Sequence, residues 1–132
     1  DLPFTKTNPS VATFRHALAL DERRAMFNPA EWAQPQPYVP NRFRPGEVRE
    51  QDIEQRWFPG VHSDVGGGYP ENESGLSKIA LVWLLDECEK AGLKLNRPNY
   101  RHLVLGEPKE GSEHRYRQPD PAGRMHRSLK HA

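Results

Sequence analysis

The chain has 132 residues, 35% of them apolar, with 13 prolines and 10 glycines; an apolar share below the usual 45–50% or so points to one domain, or part of one, with a modest core and long irregular stretches. Nineteen basic residues against 18 acidic ones leave a net charge of +1, which excludes a general binder of the nucleic-acid backbone, since that needs a basic excess gathered on one face. The single cysteine, Cys88, excludes an internal disulfide and a cysteine-built metal set, and no run of about 18 apolar residues is present to span a membrane.

Residues 1–10 read as a linker, with Pro3, Thr5, Thr7, Asn8, Pro9 and Ser10. Val11–Phe27 mixes signals. Val11, Thr13 and Phe14 favour a strand, while Ala17, Leu18, Ala19 and Leu20 favour a helix, so a short extended start with a helical continuation is expected. Asn28-Pro29 closes it. Residues 28–50 carry Pro29, Pro35, Pro37, Pro40 and Pro45, too long an interval for an ordinary connection, and are expected to form a covering loop. Asp52–Val61 reads as a strand that ends at Pro59-Gly60.

The clearest element lies between Glu73 and Leu95. Leu76, Ile79, Ala80, Trp83, Leu84 and Cys88 recur at helical spacing, Ser74 or Asn72 can cap the start, and Gly92 stands where a left-handed C′ residue belongs. The apolar middle of this helix predicts burial against a sheet, with Cys88 as a buried thiol and Trp57, Trp83 and Leu84 as core. Beyond Asn96, only Tyr100–Glu107 suggests another strand. The basic run Arg97, Arg101, Arg115, Arg117, Arg124, Arg127 and Lys130 reads as a solvated or disordered tail.

Strand, glycine-rich loop and buried helix follow in that order, an α/β arrangement in which ligands sit at the C-terminal ends of strands. The loop is "WFPGVHSDVGGGYPE", Trp57–Glu71. Its three glycines do not match G-x-G-x-x-G, and no P-loop lysine follows, so a nucleotide cradle is disfavoured. An imidazole on a turn after a strand fits a hydrolase base, which takes a proton from a nucleophile and returns it to the leaving group. His62 holds that position. Asp64 or Asp21 would orient it, Gly66 and Gly67 would keep a path open to substrate, and Tyr69 would line the cleft. Ser63 lacks a G-x-S-x-G elbow, and no such elbow occurs in the chain. A metal site built from His62, Asp64, His16 and Asp21 is an alternative without a zinc spacing to support it.

Three blocks, "RHALALDERRAMFNPAEW", "WFPGVHSDVGGGYPE" and "LSKIALVWLLDECEKAGL", resemble the C-terminal half of a bacterial and fungal α/β-hydrolase family. Its best-understood members are the catalytic domains of type VI secretion phospholipase effectors. "MHRSL", Met125–Leu129, is similar to a later family block written His-Asp-Ser-Leu, with Arg127 in place of the aspartate. The resemblance implies a C-terminal fragment of an α/β-hydrolase-like fold carrying long Pro-rich segments: a partial catalytic domain over 1–96 and an irregular basic segment over 97–132. It implies ester hydrolysis, with phospholipid as a candidate substrate, by His62 as base and Asp21 as acid. Asp64, or an acid in the missing half, competes for the second role, and His126 is an outside candidate for the first. His16 would support the site from behind.

The nucleophile serine would lie upstream in the missing N-terminal half, and this piece alone is expected to be inactive. No cofactor or metal is expected. The expected partners are a lipid or ester substrate and a membrane surface, not nucleic acid. The chain is expected to reside in the cytoplasm of the producing cell and to be secreted if it is an effector. A non-catalytic remnant or interaction module is the other expectation.

Overall fold

A computed structural model describes residues 5–127 of the chain. Helix and strand are mixed, with small sheets, as an α/β class requires. The described residues fall into two compact units, 5–16 with 29–56, and 17–28 with 57–127.

Strand β1 spans Thr13–Ala19. Ala17, Leu18 and Ala19, expected to turn helical, instead continue this strand, Leu20 begins the turn after it, and a single 3-10 turn, Ala25–Phe27, follows. The reason lies outside the segment: a pairing partner overrides local propensity. That partner is β4, Asp52–Phe58. The Ala12 carbonyl accepts from Asp52 N–H, Leu20 N–H donates to the Phe58 carbonyl and Asp21 N–H to that of Gly60, at 2.9–3.0 Å. Residue numbers rise together on both sides, so the pair is parallel.

Within the first unit the Pro-rich segment makes two short strands, β2 (Pro37–Tyr38) and β3 (Arg49–Glu50), paired antiparallel. Trp32 anchors it. Its indole stacks on Phe14 at 4.2 Å between centroids, its Nε1 donates to Gln51, and its backbone exchanges two hydrogen bonds with the Gln55 amide.

In the second unit β4 leads through Pro59-Gly60 into a short helix α1, His62–Gly66, then into α2, Gly75–Lys90. The expected bounds of α2 hold. Ser74 is its N-cap residue, although the Ser74 hydroxyl turns back to the Glu71 carbonyl. At the far end Gly92 takes φ +102°, its N–H reaching the Glu89 carbonyl and that of Leu93 the Cys88 carbonyl, the paired bonds of a Schellman termination. Phe58, Val65, Ala80 and Trp83 form the core, with Ala17, Ala19, Ile79 and Leu84 packed against it. Trp57, expected in the core, is 45% exposed: side chains alternate along β4, so placing Phe58 under α2 turns Trp57 away. Cys88 is half-buried.

The stretch expected as a strand at Tyr100–Glu107 is helical. Arg97–Asn99 and Tyr100–Val104 form consecutive helical turns, capped by the Asn96 side chain and opened by Pro98. The described arginines of the basic run are exposed, as a solvated segment requires, yet its backbone is held in place. The Leu103 carbonyl accepts from Lys78 Nζ, Asp120 N–H donates to the Gly75 carbonyl, and Arg117 N–H donates to Glu71, so residues 97–127 are tied to α2 and the turn before it. Lys130, Ser128 and Leu129 lie outside the described residues.

Gly60 is the tightest point of the β4–α1 turn. It has φ +108°, and a Cβ there would sit 2.4 Å from the Asp64 Cβ. Gly60→Ala should therefore destabilise the fold by about 2–4 kcal/mol, through strain and overpacking together, as read from chemical denaturation.

Candidate active site

The His62 turn is built from three successive amides, each held by a different carboxylate. Gly60 N–H donates to Asp21 Oδ2 at 2.7 Å, Val61 N–H to Asp64 Oδ2 at 3.0 Å, and His62 N–H to Glu22 Oε2 at 3.1 Å. Amides at a helix start have no partner within the helix, and negative charge is favoured there. Asp64 is residue N3 of α1 and caps it from inside; Asp21 and Glu22 reach it from the end of β1. The structure thus brings Asp21, Asp64 and His62 to one turn, but neither aspartate contacts the His62 imidazole. Asp64 and His62 are two apart on a helix, and such side chains do not face each other.

The imidazole of His62 is exposed and meets the ring of Phe27 at 4.9 Å between centroids. It stands at the rim of a cleft of about 250 Å³ walled by Ala17, Ala19, Val65, Ala80, Leu81 and Leu84, with Gly66, Gly67 and Ser77 completing it. The walls are apolar, and His62 brings the one ionisable side chain among them.

Tyr69 is not part of that wall. It stacks on His126, centroids 3.5 Å apart and planes 14° from parallel. His126 Nδ1 lies 2.6 Å from Asp64 Oδ1 and Nε2 lies 2.7 Å from Glu73 Oε2; its amide also donates to Asp64. Arg124 in turn pairs with Glu73 at 2.6 Å. Burial pushes the His126 pKa down, but the hydrogen bonds and charges of Glu73 and Asp64 outweigh it and hold the imidazole above its ordinary value. Glu73 is held below the usual carboxylate range, chiefly by its bond to His126. Burial, then the Asp64 charge, raises the Tyr69 phenol.

With one ring nitrogen 2.6 Å from Asp64 and the other 2.7 Å from Glu73, His126 ties the tail to α1 and to the turn before α2. Its raised folded pKa means this stabilisation is complete below about pH 6.5, the unfolded value, and is lost as pH rises through the folded one. The melting temperature should fall over that upper window, and His126→Gln should flatten the slope.

His16 belongs to the first unit, where its Nδ1 lies 3.3 Å from Gln55 Oε1. Among the described residues no group of three His, Cys, Asp or Glu side chains is placed to hold a metal ion, and no helix is long and apolar enough to cross a membrane. Glu22 is the site residue that spacing arguments missed. Its neighbour Asp21 drew attention as a triad acid, and the pair "DE" after an apolar strand was the available signal.

The family model for the catalytic domain of Tle1-like type VI secretion system phospholipase effectors matches residues 1–87. The uncharacterized protein YEL023C of Saccharomyces cerevisiae is 50% identical over 46 residues, 33% of this chain and 7% of that protein. The chain therefore spans a small part of the length of that curated relative. No solved structure matches the chain.

Proposed function

Since the chain belongs to the family of Tle1-like phospholipase-effector catalytic domains, we propose that it forms the later part of a serine-hydrolase domain that cleaves carboxylic esters of lipids, with His62 as the general base. In this reading the parallel β1–β4 pair and the helix α2 belong to an α/β-hydrolase sheet, and residues outside this chain supply the nucleophile serine on its elbow. His62 would take the serine hydroxyl proton as the oxygen attacks the ester carbonyl, then return it to the leaving alkoxide. The apolar cleft would take the acyl chain, with Gly66 and Gly67 giving it access. Asp21 and Asp64 hold the backbone that presents the imidazole.

The observation that carries this is the exposed His62 ring lining an apolar cleft, while His126, on the tail, has both ring nitrogens against carboxylates. The test is hydrolysis of p-nitrophenyl butyrate by the intact protein and its His62→Gln variant. Loss of turnover in a folded variant is expected, and retained turnover rejects His62 as the base. A lipid substrate and contact with a membrane surface belong to the same proposal; vesicles of defined phospholipid test them by release of fatty acid.

A further inference from the structure

The β2–β3 hairpin of the first unit carries an aromatic side chain that the core does not use. Residues 39–48 join the two strands, and Phe43, near the midpoint of this loop, is 85% exposed. The exposure is built in. Phe43 N–H donates to Asn41 Oδ1 at 2.9 Å, and Arg44 N–H to the Asn41 carbonyl at 3.0 Å. The 3-10 turn Pro45–Glu47 follows, closed by Val48 N–H on the Pro45 carbonyl. At the base of the loop Val39 N–H donates to the Pro9 carbonyl at 2.7 Å. Pro40 and Pro45 stand on either side of "NRFR" and restrict its backbone. An apolar side chain exposed singly carries no message, so the flanks of Phe43 decide its meaning. Arg42 and Arg44 bracket it, both exposed, and Val48 is 44% exposed on the same loop. Arg44 meets Glu47 at 3.1 Å in an exposed pair, which is weak enough to be exchanged for another anion. Over 37–50, Arg42, Arg44 and Arg49 outnumber Glu47 and Glu50. A ring held out between two cations suits a membrane interface, where apolar surface enters the acyl boundary and arginines stay with the phosphates.

We propose that the tip of the β2–β3 hairpin docks on an anionic phospholipid surface. Phe43 enters the boundary between headgroups and acyl chains, and Arg42 and Arg44 pair with lipid phosphates. The inference takes its lipid class from the reading above and does not depend on which histidine is the base.

The test is flotation of the intact protein with phosphatidylcholine vesicles, with and without phosphatidylglycerol. Wild-type protein should float with the anionic vesicles, and less so as salt rises. Phe43→Ala should weaken this binding about 10-fold, the scale of withdrawing a phenyl ring from apolar surroundings, and Phe43→Trp should keep it. Arg42→Gln combined with Arg44→Gln should weaken it about 25-fold, at about 5-fold for each arginine near an anionic surface. The three side chains are exposed, so the melting temperatures should match that of the wild type. Fatty-acid release from the vesicles should fall with binding, while turnover of soluble p-nitrophenyl butyrate stays unchanged. Variants that float like the wild type overturn the proposal, and so does a variant that loses vesicle and soluble turnover alike. Wild-type protein that stays off the anionic vesicles overturns it too and leaves a protein partner as the occupant of the tip. Flotation that depends on Phe43 and the arginines, without fatty-acid release, keeps the docking site and rejects the lipid-hydrolase reading.

Discussion

His62→Gln in the intact protein should lower kcat/KM for an ester by about 10²–10⁴, the contribution of a positioned general base. Folding should barely register the change. The His62 ring is exposed, and the hydrogen bond that ties the residue into the turn comes from its amide, which glutamine retains. A stability difference within about 0.5 kcal/mol is expected for such a site. His126→Gln provides the contrast. It removes the part-buried ring that bridges Asp64 and Glu73, so it should cost stability and spare most of the turnover. The reverse pattern, with His126→Gln inactive and His62→Gln active, would move the base to His126.

Asp64→Ala should be the most damaging single change to the fold of the second unit. The Asp64 side chain is 1% exposed and accepts from Val61 N–H, from His126 N–H and from the His126 ring. Truncation strands two backbone donors and leaves the His126 imidazolium facing an emptied position. Breaking a buried pair in this way costs about 3–5 kcal/mol. Asp64→Asn keeps one acceptor oxygen and the volume, and should cost roughly half as much. Urea denaturation monitored by far-UV circular dichroism measures both; an Asp64→Ala protein within about 1 kcal/mol of wild type would show that the tail fastening contributes little.

Elements governed by local rules were legible in the sequence. The bounds of α2 followed from helical periodicity, and its termination from Gly92, because a left-handed C′ residue is a purely local requirement. The strand before Pro59-Gly60 was legible for the same reason. The continuation of β1 through Ala17–Ala19 was not, since those residues favour a helix until β4 lies beside them. Tyr100–Glu107 reads as a strand, but among the described residues no strand pairs with it, and the Asn96 cap with Pro98 starts a helical turn instead. At the site, the cluster of His62, Asp64 and glycines was visible as a string. Its internal logic was not. Asp64 was noticed for its nearness to His62, whereas its ring partner is His126, 62 residues away. The "MHRSL" block was the one trace of that partner, and it carried no distance.

The three carboxylates that hold the His62 turn reach it across separations of 39, 3 and 40 residues, and the tail fastening adds one of 62. Contacts so far apart along the chain form only after long loops have closed, which makes them late and slow events in folding. A peptide spanning only Trp57–Glu71 carries a single one of these supports, the Asp64 cap, and cannot reproduce the turn. The shape of the His62 turn is thereby tied to completion of the fold: its backbone gains its place only when the end of β1, the β4–α1 turn and the C-terminal tail have all arrived.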